Sequence, residues 1–338
     1  MIRTSLAALA ALALAAPLAA QSTSQEDLEA RYDRALAAGY KALFLCSALA
    51  NAQRNGVERT PESVEQWDLT GPYPRIQSIL SELEYRILRD AAQRVAHVEV
   101  DWAEDMPPRF AKQDAVGSGC RLAPIGLPIP QIGPVAPNSG SFEVDFRRVL
   151  AKGELVEIGR AAFDEQYGSG IRTSAVVIRR GGRNLVVEYI DNENRYPQRT
   201  WSVAKSIAAT LVGAAVQRGE AKVTDALAFD EWRWDERRTI TIDHFLRMAS
   251  GRYTDTPGNR TDPLYMGGAL VEESATGWPL LHPPGTVFRY ANKFRNSFAV
   301  EYRCLNNVNA DRLYRNSQNI TFHVEVCTLY LQHPLIIS

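Results

Sequence analysis

The chain reads as α+β, with antiparallel strands and helices in separate runs, on three observations. Apolar residues recur at helical spacing from Glu26 to Gln53. Two β-branched runs, Ser174–Arg180 and Asn184–Ile190, flank the pair Gly181-Gly182, which is a hairpin signal. The small-residue apolar run Ser206–Val216 then follows after a short loop. An antiparallel edge leading straight into a helix is α+β order and not a parallel βαβ unit.

Length and charge set the outer bounds. With 338 residues the chain suits one large domain or two smaller ones, ample for a core. A formal net charge of -1 and a charged fraction of 23% give no electrostatic case for nucleic acid or an anionic membrane surface. A small uncharged or mixed-charge ligand fits better.

Met1-Ile2-Arg3, the Ala/Leu run Leu6–Leu18 and the small residues Ala19-Ala20 read as a secretory signal peptide, residues 1–20. No later stretch is apolar enough for a further span, so no integral membrane span is expected after cleavage. Export places Cys46, Cys120, Cys304 and Cys327 in an oxidising compartment, where one or two disulfides are allowed. Cys46–Cys120 is the preferred pair, although sequence does not fix connectivity. None of the four cysteines forms a CxxC, and the five histidines form no HExxH or HxH, so neither metal nor cofactor is expected.

Taken in order, Leu28, Tyr32, Leu36, Tyr40, Leu43 and Phe44 mark the apolar positions of the first helix, and Asn55-Gly56 stops it. Thr60-Pro61 caps and opens a short second helix carrying Trp67. Ala96, Val98, Val100 and Trp102 alternate with His97, Glu99 and Asp101, the period of a half-buried strand with His97 exposed. Neither Gly117-Ser118-Gly119 nor Gly168-Ser169-Gly170 is a Gly-x-Ser-x-Gly elbow. The Pro/Gly-rich stretch 124–141 excludes helix and central strand and reads as an extended connection lying on a surface groove. Short helices are expected at Phe142–Ala151 and Leu155–Phe163, before the hairpin.

The chemistry is expected where that hairpin meets the next helix. Thr200 is a candidate N-cap, which puts Ser202 and Lys205 three apart on one face of the first turn. A serine hydroxyl is a poor nucleophile until its proton is taken. A lysine one turn away can take it if burial and the positive helix end lower its pKa, and first-turn amides offer donors to an oxyanion. Arg218-Gly219 ends the helix.

Downstream lie Ile240–Gly251 and the words Pro283-Pro284-Gly285-Thr286-Val287-Phe288-Arg289-Tyr290-Ala291-Asn292. Together with Trp201–Ser206 this set resembles the serine hydrolases of the β-lactamase and penicillin-binding-protein fold, in the class C-like branch with esterases and 6-aminohexanoate-oligomer hydrolases. A second Tyr-x-Asn at Tyr314-Arg315-Asn316 lacks the flanking words. The resemblance covers roughly Arg172–Asn292. It implies a β-lactamase/transpeptidase-like fold, an antiparallel sheet packed against a helical cluster. It implies Ser202 as acylated nucleophile, Lys205 as proton acceptor, Tyr290 as proton shuttle and Asn292 as the residue positioning Lys205 or a substrate amide. His244–Gly251 reads as structural, a helix end stopped by Gly251.

The resemblance fails after Asn292. No Lys-Thr-Gly, Lys-Ser-Gly or His-x-Gly occurs, so the family's C-terminal strands read as missing or replaced. That predicts loss of half the oxyanion hole, and removing one donor typically costs about 100- to 1,000-fold in kcat. The expected division is signal peptide 1–20, an N-terminal α+β region 21–123, a linker 124–141, a partial hydrolase domain 142–292 and a divergent tail 293–338. The expected function is a periplasmic or secreted serine hydrolase of an ester, amide or peptide. Two readings compete with it: a catalytically inactive β-lactamase-like binding protein, and an interaction module in residues 21–123.

Overall fold

The computed structural model describes residues 24–116, 118–131, 133–137, 153–180, 183–189, 198–199, 202–253, 262–269, 276–290 and 336–337. Its first organising element is helix α1, Gln25–Arg54. Ser24 caps it: the Asp27 N–H donates to Ser24 Oγ at 3.1 Å and the Asp27 carboxylate accepts from Ser24 N–H at 3.3 Å, which satisfies two orphan groups reciprocally. Asn55 and Gly56 (φ 68°) end it. Leu28 and Tyr32, expected on the apolar face, are half exposed, whereas every residue from Ala35 to Ala50 is buried. The most apolar window of α1 has mean hydropathy 1.3, long enough to cross a membrane by length and composition, but 94% of it is buried inside the protein.

That burial follows from what surrounds α1. On one side lie α2 (Pro61–Trp67) and α3 (Pro74–Leu80). Thr60 caps α2 by accepting from Ser63 N–H at 3.2 Å. Against the other side packs an antiparallel sheet of β1 (Tyr85–Arg89), β2 (Val95–Val100), β3 (Arg109–Gln113) and β4 (Cys120–Leu122), in that order. Val98 pairs Ala111, and Ala111 pairs Leu122, so these small and branched residues form the face toward α1. The disulfide Cys46–Cys120 ties α1 to β4. Cys304 and Cys327 lie outside the described residues.

His97 is a correction. It is not exposed on a polar face but 7% exposed, with Nε2 2.9 Å from Glu99 Oε1. The outer face of the sheet is covered in part: Phe110 is buried, whereas Arg86 and Leu88 on the same face of β1 are exposed. The Pro/Gly connection leaves β4 at Ala123 and reaches Val135 and Ala136 at the opposite end of the strands. There Val135 N–H donates to Asp90 and Ala136 pairs with Ala115. A period-two pattern reports two unlike faces, and it gives no warning when a residue on the polar one is buried.

A third support for α1 comes from far along the chain. The π-helical turn Pro263–Gly267 packs Tyr265 and Met266 into the core around α1. The Tyr73 hydroxyl donates to Asp262 at 2.6 Å, and the Asp262 carboxyl is raised above its usual range by burial. Gly39 lets this turn approach: a Cβ there would overlap the Met266 carbonyl oxygen and the guanidinium of buried Arg109. Arg109 donates to the Ala35 and Ala123 carbonyls at 2.7 and 3.0 Å, and burial pulls it down to about 10. Gly39→Ala is therefore expected to destabilise. Helix propensity favours alanine by about 1 kcal/mol, but overpacking against a fixed backbone oxygen costs about 1–3 kcal/mol. A lower urea midpoint for Gly39→Ala checks this.

The second half begins with α4 (Glu154–Ala161), the helix expected at Leu155–Phe163 with its start one residue and its end two residues earlier. It packs on the hairpin of β5 (Ala175–Arg180) and β6 (Arg183–Tyr189). The short β7 (Gln198–Arg199) precedes α5 (Val203–Gln217). Val212 and Ala215 of α5 join Leu227, Trp232, Ile240 and Phe245 in a second core, completed by α6 (Ile242–Leu246). The two-residue β8 (Ile336–Ile337) pairs with β7. The architecture is thus α+β, antiparallel sheets with helices, as expected. The signal peptide expected at residues 1–20, the helix expected at Phe142–Ala151 and nearly all of the expected tail 293–338 lie outside the described residues.

Candidate active site

Helix α5 starts two residues later than the spacing predicts. Ser202, not Thr200, holds the N-cap position, with helical backbone angles (φ -69°, ψ -12°) and no side-chain cap bond. Thr200 lies outside the described residues. An N-cap serine normally turns its oxygen onto the N2 or N3 amide. Here Lys205 N–H instead meets the Ser202 backbone carbonyl at 2.9 Å. Ser202 Oγ is left to face two side chains: Lys205 Nζ donates to it at 3.1 Å, and the Tyr290 hydroxyl shares a 2.7 Å hydrogen bond with it.

Tyr290 is delivered by a clamp between two segments. Residues 279–289 run beside 248–253, joined by Tyr253 N–H to Pro279 O at 2.8 Å, Gly285 N–H to Ala249 O at 2.7 Å and Arg289 N–H to Met248 O at 2.8 Å. Gly251 (φ 75°) belongs to this clamp: a Cβ there would overlap the His282 carbonyl. It is not the stop of α6, which ends at Leu246 with Arg247 at the cap. His244 is structural. Its Nδ1 accepts from Thr241 N–H at 3.2 Å, and Gly285 passes so close to its ring that a Cβ would lie 2.9 Å from Nε2.

The guanidinium of Arg289 sits 5.5 Å from the Tyr253 ring centre. Along an extended segment successive side chains alternate, so Tyr290 points away from Tyr253, toward Ser202. Arg289 was not singled out from sequence; its only signal there is that alternation beside Tyr290.

Electrostatics favours a reactive phenol. Partial burial alone raises the Tyr290 pKa, but the hydrogen bonds with Ser202 and Lys205 and the lysine's positive charge outweigh it and hold the phenol below its usual value. Lys205 Nζ also lies 4.9 Å from the Tyr290 ring centre. The site is open to solvent: Ser202 is exposed and Tyr290 is 42% exposed. Asn292 lies outside the described residues. Among the described residues no cluster of three or more His, Cys, Asp or Glu side chains is placed to hold a metal.

Residues 160–293, which include all four candidate site residues, match the Beta-lactamase family model. A solved structure from Bacillus anthracis, provisionally named a 6-aminohexanoate-dimer hydrolase, is similar at 16% identity with a TM-score of 0.37. That likeness covers 44% of this chain, and the chain spans 43% of the length of that one. No curated protein matches.

Proposed function

We propose, taking residues 160–293 as a β-lactamase-like segment, that this protein is an exported serine hydrolase cleaving an ester, amide or peptide through an acyl-enzyme on Ser202. One observation carries the reading: Ser202 Oγ lies within hydrogen-bond reach of both Lys205 Nζ and the Tyr290 hydroxyl. A nucleophile held against a base, with the base held by a third group, is the arrangement acyl transfer needs.

In this mechanism the deprotonated partner of the Lys205–Tyr290 pair takes the Ser202 proton as Oγ attacks the substrate carbonyl carbon. The C–O or C–N bond to the leaving group then breaks, and Tyr290 returns the proton to the departing atom. Water attacks the acyl carbon by the reverse route, frees the acid and restores Ser202. The Ser202 amide would supply one oxyanion donor, and Asn292 would position Lys205 or a substrate amide. The reading needs no cofactor. The Cys46–Cys120 disulfide supports export, since such bonds persist in oxidising compartments.

Hydrolysis of p-nitrophenyl butyrate and of a p-nitroanilide by the purified chain tests the proposal. Turnover that disappears in Lys205→Ala supports it, and absence of turnover on both substrates favours a non-catalytic relative. The pH profile is a sharper check on Tyr290. With the phenol as the deprotonated member of the pair, activity is present above its pKa and lost below it. Because that pKa is held below the ordinary 10.0, kcat/KM should rise with pH through an apparent pKa under that value. Tyr290→Phe should lower kcat/KM by about 100- to 10,000-fold and abolish that rise. An unchanged profile in Tyr290→Phe would remove Tyr290 from the mechanism.

A further inference from the structure

We infer that the N-terminal half carries a second ligand site, separate from Ser202, for a small amphipathic carboxylate. It is a cleft of about 680 Å³ where the outer face of the four-stranded sheet, the Pro/Gly connection and the turn at 263–269 meet. That volume lies in the range of small-molecule sites, about 300–1,000 Å³. Neither Ser202 nor Tyr290 borders it.

Its walls are mostly carbon. Phe110 from β3, Ile125, Leu127 and Pro130 of the connection, and Pro263 all line the cleft. Phe110 is 2% exposed although it lies on the outer face of the sheet. Such walls suit an aliphatic chain and offer little to a polar or highly charged ligand.

Part of the lining carries charge. Lys112 and Arg121 border it and stand directly opposite each other across β3 and β4. Like charges in that position destabilise a sheet. The fold relieves the pair only in part, through one shared carboxylate: Asp114 accepts Lys112 Nζ at 2.7 Å and an Arg121 nitrogen at 3.2 Å. Two cations against one anion leave a single positive charge on the lining of an apolar cleft. His97, opposite Lys112 on β2, is engaged by Glu99, whose carboxylate also meets Arg86. An aliphatic chain ending in one carboxylate matches both the walls and the residual charge.

Titration of the full chain with sodium decanoate below its micellar range, followed by calorimetry, tests this. The expected result is saturable binding at one site with a negative heat-capacity change. Affinity should fall at least tenfold in Lys112→Ala/Arg121→Ala and at least tenfold when decan-1-ol replaces decanoate. Leu127→Asp, on an exposed part of the connection, should weaken decanoate through the wall and not the head group. Ser202→Ala should bind as the unaltered chain does, which separates this site from the hydrolase site. Circular dichroism confirms that each variant is folded. No saturable binding, equal binding by both cleft variants, or loss of binding in Ser202→Ala would overturn the inference.

Discussion

Ser202→Ala is expected to reduce ester hydrolysis by about 10,000-fold or more while leaving the fold intact. Removing a serine nucleophile abolishes the covalent route, and the partners left behind contribute little without it. The structure makes this substitution unusually clean. Ser202 sits at the N-cap of α5, but its side chain caps nothing. The usual loss of about 1 kcal/mol on replacing an N-cap serine by alanine does not apply. Ser202 is also exposed, so no cavity forms. Equal urea midpoints beside a lost rate would assign the effect to chemistry. A lost rate with a shifted midpoint would make Ser202 structural instead.

The second large effect concerns stability and the other half of the chain. Cys46 and Cys120 are 74 residues apart in sequence, and both are fully buried. Closing a loop of that length removes enough unfolded-state entropy to contribute about 4 kcal/mol in the chain-entropy model. A domain is stable by only about 5–15 kcal/mol in total. Cys46→Ser/Cys120→Ser should therefore lose most of the cooperative unfolding transition of the N-terminal half, followed by circular dichroism in urea. Burial of both sulfurs also predicts that dithiothreitol acts slowly under native conditions and quickly near the urea midpoint. A double variant that unfolds at the same urea concentration as the unaltered chain would show that the bond contributes little.

Elements with a strong local period were legible in the sequence. Helix α1 with its Asn55-Gly56 stop, α2 behind Thr60-Pro61, and the hairpin around Gly181-Gly182 needed only local chemistry. Strands β1, β3 and β4 were not legible, because three to five residues carrying arginine, lysine and glutamine leave no pattern. Arg109 shows why: it is nearly fully buried, its two terminal nitrogens held by carbonyls of α1 and Ala123 from distant parts of the chain. The burial of His97 escapes a local reading for a related reason, since no period-two pattern announces it.

At the candidate site, the three-residue spacing of Ser202 and Lys205 is local and was readable. The approach of Tyr290, 88 residues away from Ser202, was readable only through the words of a family. The clamp that delivers it rests on backbone hydrogen bonds and close glycine contacts that side-chain identity does not reveal.

The most direct measurement is where a fluorophosphonate probe attaches to the purified chain. Mass spectrometry of the digested protein should find one adduct, on the peptide containing Ser202, absent in Ser202→Ala and slowed at least tenfold in Lys205→Ala. Absence of any adduct, or an adduct on another serine at undiminished rate, would contradict the account.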